Sequence, residues 1–137
     1  MSGPASVGDA LPEWVVEAVD AEKMKTMAAL LADPNPIHWE VAAVRRLGMG
    51  DRPVNQGPNN MAYVANMLAA WAGGHQHLRR LRVRFLANVF AGDRLVAGGT
   101  VTAVEPDRGG TLATCDVWLR RGDDTVMAGQ ARVLLPA

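Results

Sequence analysis

The stretch "NNMAYVANMLAAWAGG", residues 59–74, decides the fold, because it is a helical segment with almost no polar face. Between residues 61 and 72 the only strongly polar residue is Asn66. A helix that is apolar on nearly every side is normally buried on nearly every side. Pro58 suits the first turn of this helix, and the double glycine suits its end. We therefore predict a long central helix enclosed by the rest of the chain.

Four segments that follow this helix alternate apolar and polar residues, and turn residues separate the last three of them, as is typical of strands. The segments are "LRRLRVRFLANVF" (78–90), "RLVAGGTVTAVE" (94–105), "TLATCDVWLRR" (111–121) and "TVMAGQARVLL" (125–135). We interpret them as an antiparallel meander. A curved sheet of this kind wrapped around the buried helix predicts an α+β fold.

The region before the central helix predicts one strand and two shorter helices. "EWVVEAV" (13–19) has the composition of a strand, and "AEKMKTMAALLA" (21–32) has helical spacing with Asp20 as its N-cap. Two prolines then stop that helix. "WEVAAVRRLG" (39–48) predicts a short helix, whose final Gly48 suits a left-handed cap.

Composition indicates one globular domain over residues 1–137, because 49% of the residues are hydrophobic and a chain of this length buries roughly two-thirds of its unfolded surface. Lys+Arg and Asp+Glu number 14 each, so no net charge favours nucleic acid or an anionic membrane. The lone Cys115 has no partner for an internal disulfide, and "MSGPASVGDALP" lacks the features of a leader. We therefore expect a cytoplasmic protein that binds neither nucleic acid nor membrane.

The segment "DPNPIHWE", residues 33–40, concentrates an acid, an amide and an imidazole around two prolines. A residue before proline is pushed towards extended backbone, so this corner is predicted to be stiff. The imidazole of His38 can take up a proton near neutral pH, and the nearby carboxylate of Asp33 can orient it or share a water with it. Asp, Asn and Pro are equally the ordinary residues of turns, so the pattern alone leaves both interpretations open.

This segment resembles the hydratase motif of the MaoC-like family, D-x-N-P-[LIV]-H-x-[DA], which is found in R-specific enoyl-CoA hydratases and (3R)-hydroxyacyl dehydratases. Asp33, Asn35, Pro36, Ile37 and His38 match the motif. The likeness extends along nearly the whole chain. It includes "VGDALP", "RPVNQG", "RVRFLANVFAGDRLVAGGTVTAV" and the closing "GQARVLL". The resemblance implies a single hot-dog domain, in which a curved antiparallel sheet wraps around a long buried central helix.

The resemblance also implies a reaction, the reversible hydration of trans-2-enoyl thioesters of coenzyme A or of acyl carrier protein (ACP) to (3R)-3-hydroxyacyl thioesters. Asp33 and His38 would form the dyad that activates water, and Asn35 would be the amide that orients them. Gly57 would bind the thioester oxygen through its backbone N–H, at the positive end of the central helix. No cofactor and no metal are implied, because the chemistry needs only proton transfer and oxyanion support.

Departures from the family pattern bear on the substrate. Gln56 stands where the family has His, and Ala65 stands where simple hydratases often have Ser. "VNQGPNN", which contains Asn55, resembles MaoC-like subunits that act as heteromers on bulky acyl-CoAs such as steroid side chains. "NPIHWE" and "AAWAG" are similar to hydroxyacyl-ACP dehydratase subunits that pair with a second MaoC-like chain. We therefore predict that Asn55, Gln56 and Ala65 contact the substrate, whether it belongs to fatty acid metabolism or to steroid or lipid degradation.

Two further features concern partners. Arg82 and Arg84 lie on a strand whose other face is apolar, so they either bind the phosphates of the thioester carrier or form a solvated sheet face. In the family the site forms between two chains whose sheets join edge to edge, which implies at least a homodimer or a heteromer with a second MaoC-like chain. The alternative function is a partner subunit or acyl-thioester binding module that is active only with that second chain.

Overall fold

The computed structural model describes residues 5–137. Residues 1–4 lie outside the described residues. They belong to the predicted domain and to the stretch in which we expect no leader. The helices are α1 (Ala21–Leu31), α2 (Val41–Arg46) and α3 (Gly57–Ala72), with single 3-10 turns at Pro36–His38 and His75–His77. Within residues 5–137, no helix has the length and apolar character needed to cross a membrane.

The strands form one antiparallel sheet of five members in the order β1-β3-β4-β5-β2. They are β1 (Trp14–Val16), β2 (Leu78–Phe85), β3 (Leu95–Asp107), β4 (Gly110–Arg121) and β5 (Asp124–Pro136). The predicted meander is correct for β3, β4 and β5, which pair in succession. It is wrong for β2, which pairs with β5 at the far edge and not with the next strand in the chain. The strand that follows α3 therefore lies at one edge of the sheet, and β1 lies at the other.

Helix α3 contacts all five strands, as its apolar sequence predicts. Val64, Met67 and Leu68 are at most 1% exposed and belong to the main core cluster. Burying each such side chain contributes about 1.5 to 3 kcal/mol, so the helix and the sheet depend on each other. The helix begins with Pro58 in its first turn and ends at Gly73, whose φ is 90°. The predicted α+β hot-dog architecture is confirmed.

Helix α1 ends differently from the prediction. Asp20 caps its start by accepting the Glu22 N–H at 2.8 Å, as expected. Its end, however, is set by Ala32, whose φ of 50° is left-handed and whose N–H bonds back to the carbonyls of Ala28 and Ala29. The helix has therefore stopped before Pro34, and that proline only prevents Asp33 from resuming it. A left-handed alanine costs roughly 1 to 2 kcal/mol, so the corner that begins at Asp33 is backbone-strained.

A buried carboxylate joins three connections near one end of the sheet. Asp93 accepts bonds from Arg52 at 2.9 Å, from Arg121 at 2.8 Å and from the Phe90 N–H at 2.9 Å. Arg52 also lies over the Phe90 ring, 5.3 Å from its centroid. Burial alone raises the pKa of Asp93, but the Phe90 N–H and the two guanidinium groups more than offset that effect and lower it. The carboxylate therefore fixes the loop that leads into α3 against the connection from β2 to β3.

We expect Asp93→Asn to lower the free energy of unfolding by about 2 kcal/mol at pH 7, because an amide NH₂ would face a guanidinium donor and a charged bond would be lost. The pKa of Asp93 is lower in the folded than in the unfolded chain. Its contribution is therefore present above the unfolded value of about 4 and is lost as the pH falls through the folded value. Urea unfolding of the wild-type and Asp93→Asn proteins from pH 7 down to pH 3 measures this contribution.

The control for this prediction is Asp123→Asn, at an exposed residue in the turn between β4 and β5. It should change the free energy of unfolding by less than about 0.5 kcal/mol. The role assigned to Asp93 would be contradicted if Asp93→Asn lowered the free energy of unfolding no more than the control does. It would also be contradicted if the loss of free energy grew at low pH.

Candidate active site

Asp33 and His38 are in direct contact. The Nε2 atom of His38 lies 3.2 Å from the Oδ2 atom of Asp33. The imidazole is buried, with 10% of its side chain exposed, whereas the carboxylate is 30% exposed. The pair thus has a closed side formed by the imidazole and an open side at the carboxylate. A small molecule can approach the pair from the carboxylate side.

Local hydrogen bonds set the positions of these two side chains. The Oδ1 atom of Asp33 accepts the Asn35 N–H at 3.0 Å, which leaves Oδ2 for His38. The Oδ1 atom of Asn35 in turn accepts the Ile37 N–H at 3.2 Å and caps the 3-10 turn that carries His38. Asn35 therefore orients the pair through the backbone. Asp33 and Asn35 of the sequence motif therefore form two consecutive turns, each closed by a side-chain oxygen that accepts a backbone N–H.

The buried side of the imidazole fixes its tautomer. The Nδ1 atom of His38 lies 2.6 Å from the backbone carbonyl of Val54. Because a carbonyl only accepts, Nδ1 carries the proton, and in a neutral imidazole the Nε2 atom that faces Asp33 has the free lone pair. Two acceptors then face each other unless a proton lies between them or a water beside the pair donates to both. The arrangement suits a site that takes a proton from water at Nε2.

Val54 connects this corner to the start of the central helix. Its N–H donates to the carbonyl of Ile37 at 2.9 Å, so Val54 bonds both to His38 and to the neighbouring residue. Val54 also bridges to Phe90, and the next N–H, that of Asn55, donates to Val89. The segment before α3 is thus held on both sides. Helix α3 begins three residues after Val54.

The first turn of α3 leaves one backbone donor available. Asn59 and Asn60 both donate their N–H groups to the carbonyl of Gln56, and Pro58 has no N–H. Among the described residues, no hydrogen-bond acceptor is present for the Gly57 N–H. This amide lies at the positive end of the helix dipole, which attracts negative charge. The start of α3 can therefore donate one hydrogen bond to an anionic oxygen.

Phe85, at the end of β2, explains why residue 57 is glycine. A Cβ atom on Gly57 would lie 3.0 Å from the Cζ atom of the Phe85 ring and 3.2 Å from Cε1. These distances are shorter than ordinary van der Waals contacts, so a side chain there would displace the ring. Half of the Phe85 side chain is exposed at this edge of the sheet.

A cluster of buried amides surrounds the same helix end, and we call it the amide cluster. Gln56, which is 2% exposed, donates to the Met24 carbonyl at 2.8 Å and accepts from Asn59 at 3.0 Å. Asn55 also accepts from Asn59 at 3.0 Å, and it donates to Asn60 at 2.9 Å and to the Tyr63 hydroxyl at 3.1 Å. Asn55 and Gln56, which we predicted to contact substrate, thus have protein partners. They join α3 to α1.

The other members of the amide cluster are Asn59, Asn60 and Tyr63, and the sequence alone does not predict their hydrogen bonds to Asn55 and Gln56. The available signal is the spacing of the two asparagines from Asn55 and Gln56, which places four amides around the start of a buried helix. Burial raises the pKa of Tyr63, the bond from Asn55 lowers it, the charge of Asp20 raises it again, and the net effect is an increase.

The remaining predicted residues lie elsewhere. Ala65 is half-buried on α3, and Arg82 and Arg84 are exposed on the face of β2 that points away from the helix. Two grooves of about 370 and 400 Å³ lie on this outer face, and both are lined by Arg82 and Gln130. Neither groove includes the Asp33–His38 pair or Gly57. Phosphate binding by Arg82 and Arg84 therefore stays a prediction.

Cys115 and His75 lie apart from the Asp33–His38 pair, in a strand and in a turn after α3. Cys115 is buried among apolar side chains, and burial followed by the charge of Asp116 raises its pKa to about 11. His75 contacts Asn66 at 3.3 Å in the turn after α3. In the described part of the chain, no three side chains of His, Cys, Asp or Glu are grouped so as to hold a metal ion.

Residues 9–115 match the family described as "MaoC like domain". The fold is similar to that of the (R)-hydratase from A. caviae involved in PHA biosynthesis, with 25% identity, 96% of this chain and 98% of that chain covered, and a TM-score of 0.83. It is also similar to a chain of the ChsH1-ChsH2 complex from Mycobacterium tuberculosis, with 21% identity, coverage of 96% and 98%, and a TM-score of 0.81.

A third similar structure is the HadBC (3R-hydroxyacyl-ACP dehydratase) complex from Mycobacterium tuberculosis, with 18% identity, coverage of 93% of this chain and 96% of that chain, and a TM-score of 0.72. No curated protein matches the sequence. At these lower identities the ChsH1-ChsH2 and HadBC matches bear on the fold alone.

We expect Gln56→Glu to lower the free energy of unfolding by at least about 2 kcal/mol at pH 7, because the new carboxylate would be buried against the Met24 carbonyl with no donor between them. A protonated acid can donate to that carbonyl, so burial raises the pKa of the new group in the folded chain and the loss should shrink as the pH falls to about 5. Urea unfolding at both values measures the change. A loss that is the same at pH 7 and pH 5 would contradict the bond between Gln56 and Met24.

Proposed function

Because the chain belongs to the MaoC-like domain family, we propose that it is a hydro-lyase that reversibly hydrates trans-2-enoyl thioesters to (3R)-3-hydroxyacyl thioesters. The observation that carries this proposal is the 3.2 Å contact between His38 and Asp33, in a corner that is hydrogen-bonded through Val54 to the segment before Gly57. The carrier is coenzyme A or an acyl carrier protein, and the reaction needs no metal and no cofactor.

The dyad activates water in the first step. A water that enters from the carboxylate side can donate one O–H to Nε2 of His38 and the other to Oδ2 of Asp33, which aims its lone pair away from both. Its oxygen forms a bond to C3 of the enoyl thioester as Nε2 takes the proton. The fixed Nδ1–H bond to Val54 supports this assignment, because it keeps Nε2 as the basic nitrogen.

The start of α3 stabilises the charge that this addition creates. As the new C–O bond forms, the electron pair of the C2–C3 double bond moves towards the thioester carbonyl and gives an enolate. The Gly57 N–H, which has no acceptor among the described residues, donates to this oxygen. Loss of such an interaction costs about 3 to 4 kcal/mol in well-studied oxyanion holes. The proton held at Nε2 then passes to C2, which completes the hydration, and the reverse sequence is dehydration.

The other predicted residues have supporting roles in this proposal. Asn35 is a positioning residue, because it acts on His38 through the cap of its turn. Asn55 and Gln56 hold the helix end that presents Gly57, and Ala65 leaves space on α3 for the acyl chain. Arg82 and Arg84 bind carrier phosphates only if the carrier passes over the edge of β2, because their side chains lie on the outer face.

An alternative is a partner subunit or acyl-thioester binding module that acts only with a second MaoC-like chain. The names of two similar structures describe complexes, ChsH1-ChsH2 and HadBC, which favours this alternative. The contact between Asp33 and His38 favours an active chain, because a purely structural subunit needs neither the carboxylate nor the imidazole.

We expect Asp33→Asn and His38→Gln each to lower kcat for hydration by about 10²- to 10⁴-fold, the usual contribution of a positioned acid or base. Asp33→Asn keeps the shape of the side chain and removes the negative charge that accepts a bond from the water, and His38→Gln removes the nitrogen that takes the proton. The measurement follows the loss of conjugated thioester absorbance with a short and with a bulky trans-2-enoyl-CoA. His75→Gln, at an exposed histidine beyond the far end of α3, is the matched control and should keep full activity.

Two outcomes separate the alternatives. Turnover that survives in both dyad variants, with the variants folded by circular dichroism, would refute the proposed mechanism. Turnover by the wild-type chain only after a second MaoC-like chain is added would favour the partner-subunit function. In that mixture, loss of turnover with the dyad variants of this chain would mean that this chain supplies the catalytic residues, and unchanged turnover would mean that the second chain does.

A further inference from the structure

The hydrogen bonds of the amide cluster have a fixed direction, which begins at a backbone carbonyl. The Met24 carbonyl only accepts, so the NH₂ group of Gln56 faces it at 2.8 Å and the side-chain oxygen of Gln56 is an acceptor. Asn59 therefore donates from Nδ2 to this oxygen at 3.0 Å, and its second N–H goes to Oδ1 of Asn55 at 3.0 Å. Each amide along this path is oriented by the one before it.

The path ends at Asn60 and Tyr63. The oxygen of Asn55 faces Asn59, so its NH₂ group donates to Oδ1 of Asn60 at 2.9 Å and to the Tyr63 hydroxyl at 3.1 Å. The opposite orientation of the Asn60 amide would place two NH₂ groups against each other, so its Nδ2 atom faces away from Asn55. Among the described residues, no acceptor is present for the N–H groups of this Nδ2 atom.

Asn60 is a buried residue whose free donor reaches open space. Only 4% of the residue is exposed. Within residues 5–137, every side-chain nitrogen or oxygen that is sealed from solvent has a hydrogen-bond partner. The Nδ2 atom of Asn60 has none among these residues, so it must border a space that a small molecule can enter. Because an unpaired buried donor is unfavourable, an acceptor on a ligand would be bound there.

Helix geometry places this donor beside Gly57. Side chains of a helix lean towards its N-terminus, and residues three apart are neighbours on its surface. Asn60 follows Gly57 by three residues, and its oxygen is held by Asn55, which precedes the helix. The Asn60 amide therefore lies over the first turn of α3, next to the Gly57 N–H.

We propose that the Nδ2 group of Asn60 is a second donor to the thioester oxygen, together with the Gly57 N–H. This inference rests on the proposed hydration. The thioester oxygen has two lone pairs, and two donors stabilise the charge of the enolate better than one. Asn60 is thus a catalytic residue whose bond strengthens as the enolate forms. The path from the Met24 carbonyl keeps its amide oriented before substrate binds.

The test uses two variants, Asn60→Leu and Asn60→Asp. The first removes the donor and the bond from Asn55, whereas the second keeps an oxygen for Asn55 and replaces only the NH₂ group. We expect each to lower kcat for hydration of crotonyl-CoA by about 10²- to 10³-fold, the usual cost of losing one donor to an oxyanion. KM should change by less than about threefold, because the donor binds the enolate more strongly than the neutral thioester. Circular dichroism checks that both variants are folded.

Two controls separate this role from a purely structural one. Tyr63→Phe removes the other acceptor of the Asn55 NH₂ group and keeps the Asn60 amide. Asn66→Asp adds the same charge to α3, six residues and roughly 9 Å further along the helix axis. Each control should lower kcat by less than about threefold, well below the loss of one oxyanion donor.

The thioester carbonyl gives a direct measurement that needs no turnover. A donor polarises the carbonyl oxygen and thereby lowers its stretching frequency. The probe is crotonyl-CoA bound to the His38→Gln protein, in which turnover is slow, and infrared difference spectra report its carbonyl band. We expect Asn60→Leu to move this band to higher frequency and Tyr63→Phe to leave it in place.

The outcomes distinguish failure of this inference from failure of the proposed function. If the wild-type protein hydrates crotonyl-CoA but the Asn60 variants lose no more kcat than the controls do, the second donor is refuted and the hydration stands. If the wild-type protein shows no turnover, the proposed hydration fails and the carbonyl band decides. A band that Asn60→Leu leaves unchanged, or an absence of thioester binding, would then refute the second donor.

Discussion

Burial of the N-terminal end of α3 is the constraint on which the rest of the structure depends. A helix end that is removed from water needs a partner for each of its polar groups. Gln56 supplies a carbonyl for two N–H groups, Pro58 removes a third donor, and the side chains of the amide cluster bond to one another. Within residues 5–137, no acceptor is present for the Gly57 N–H. The chemistry proposed for this site therefore uses a backbone donor at the helix start for which the described residues provide no acceptor.

The sequence predicted the fold class well because periodicity reports burial directly. The apolar run of α3 and the alternating strands β3, β4 and β5 have one simple solution, a sheet over a helix. The position of β2 could not be predicted, because alternation in residues 78–85 identifies a strand and not its neighbour. Pairing with β5 joins residues that are far apart along the chain, and no local residue pattern encodes it.

The site was predictable to the extent that it is local in sequence. Asp33, Asn35 and His38 are joined by turns of two to five residues, so their spacing contains most of the geometry. The bonds from His38 to Val54 and from Gln56 to Met24 cross much longer stretches of chain and follow only from the tertiary structure. Left-handed Ala32 was missed because alanine carries no signal for that conformation.

The connections through Asp93 have a consequence for the order of folding. Its partners Arg52 and Arg121 are 41 and 28 residues away along the chain, whereas Asp33 and His38 are five residues apart. Contacts between distant residues form late, because the entropy of closing large loops is lost before the contacts are gained. The Asp33–His38 corner can form early as a local turn, but the helix start that accompanies it is fixed only when the sheet is complete. A partly folded chain would thus have the Asp33–His38 contact without the ordered start of α3.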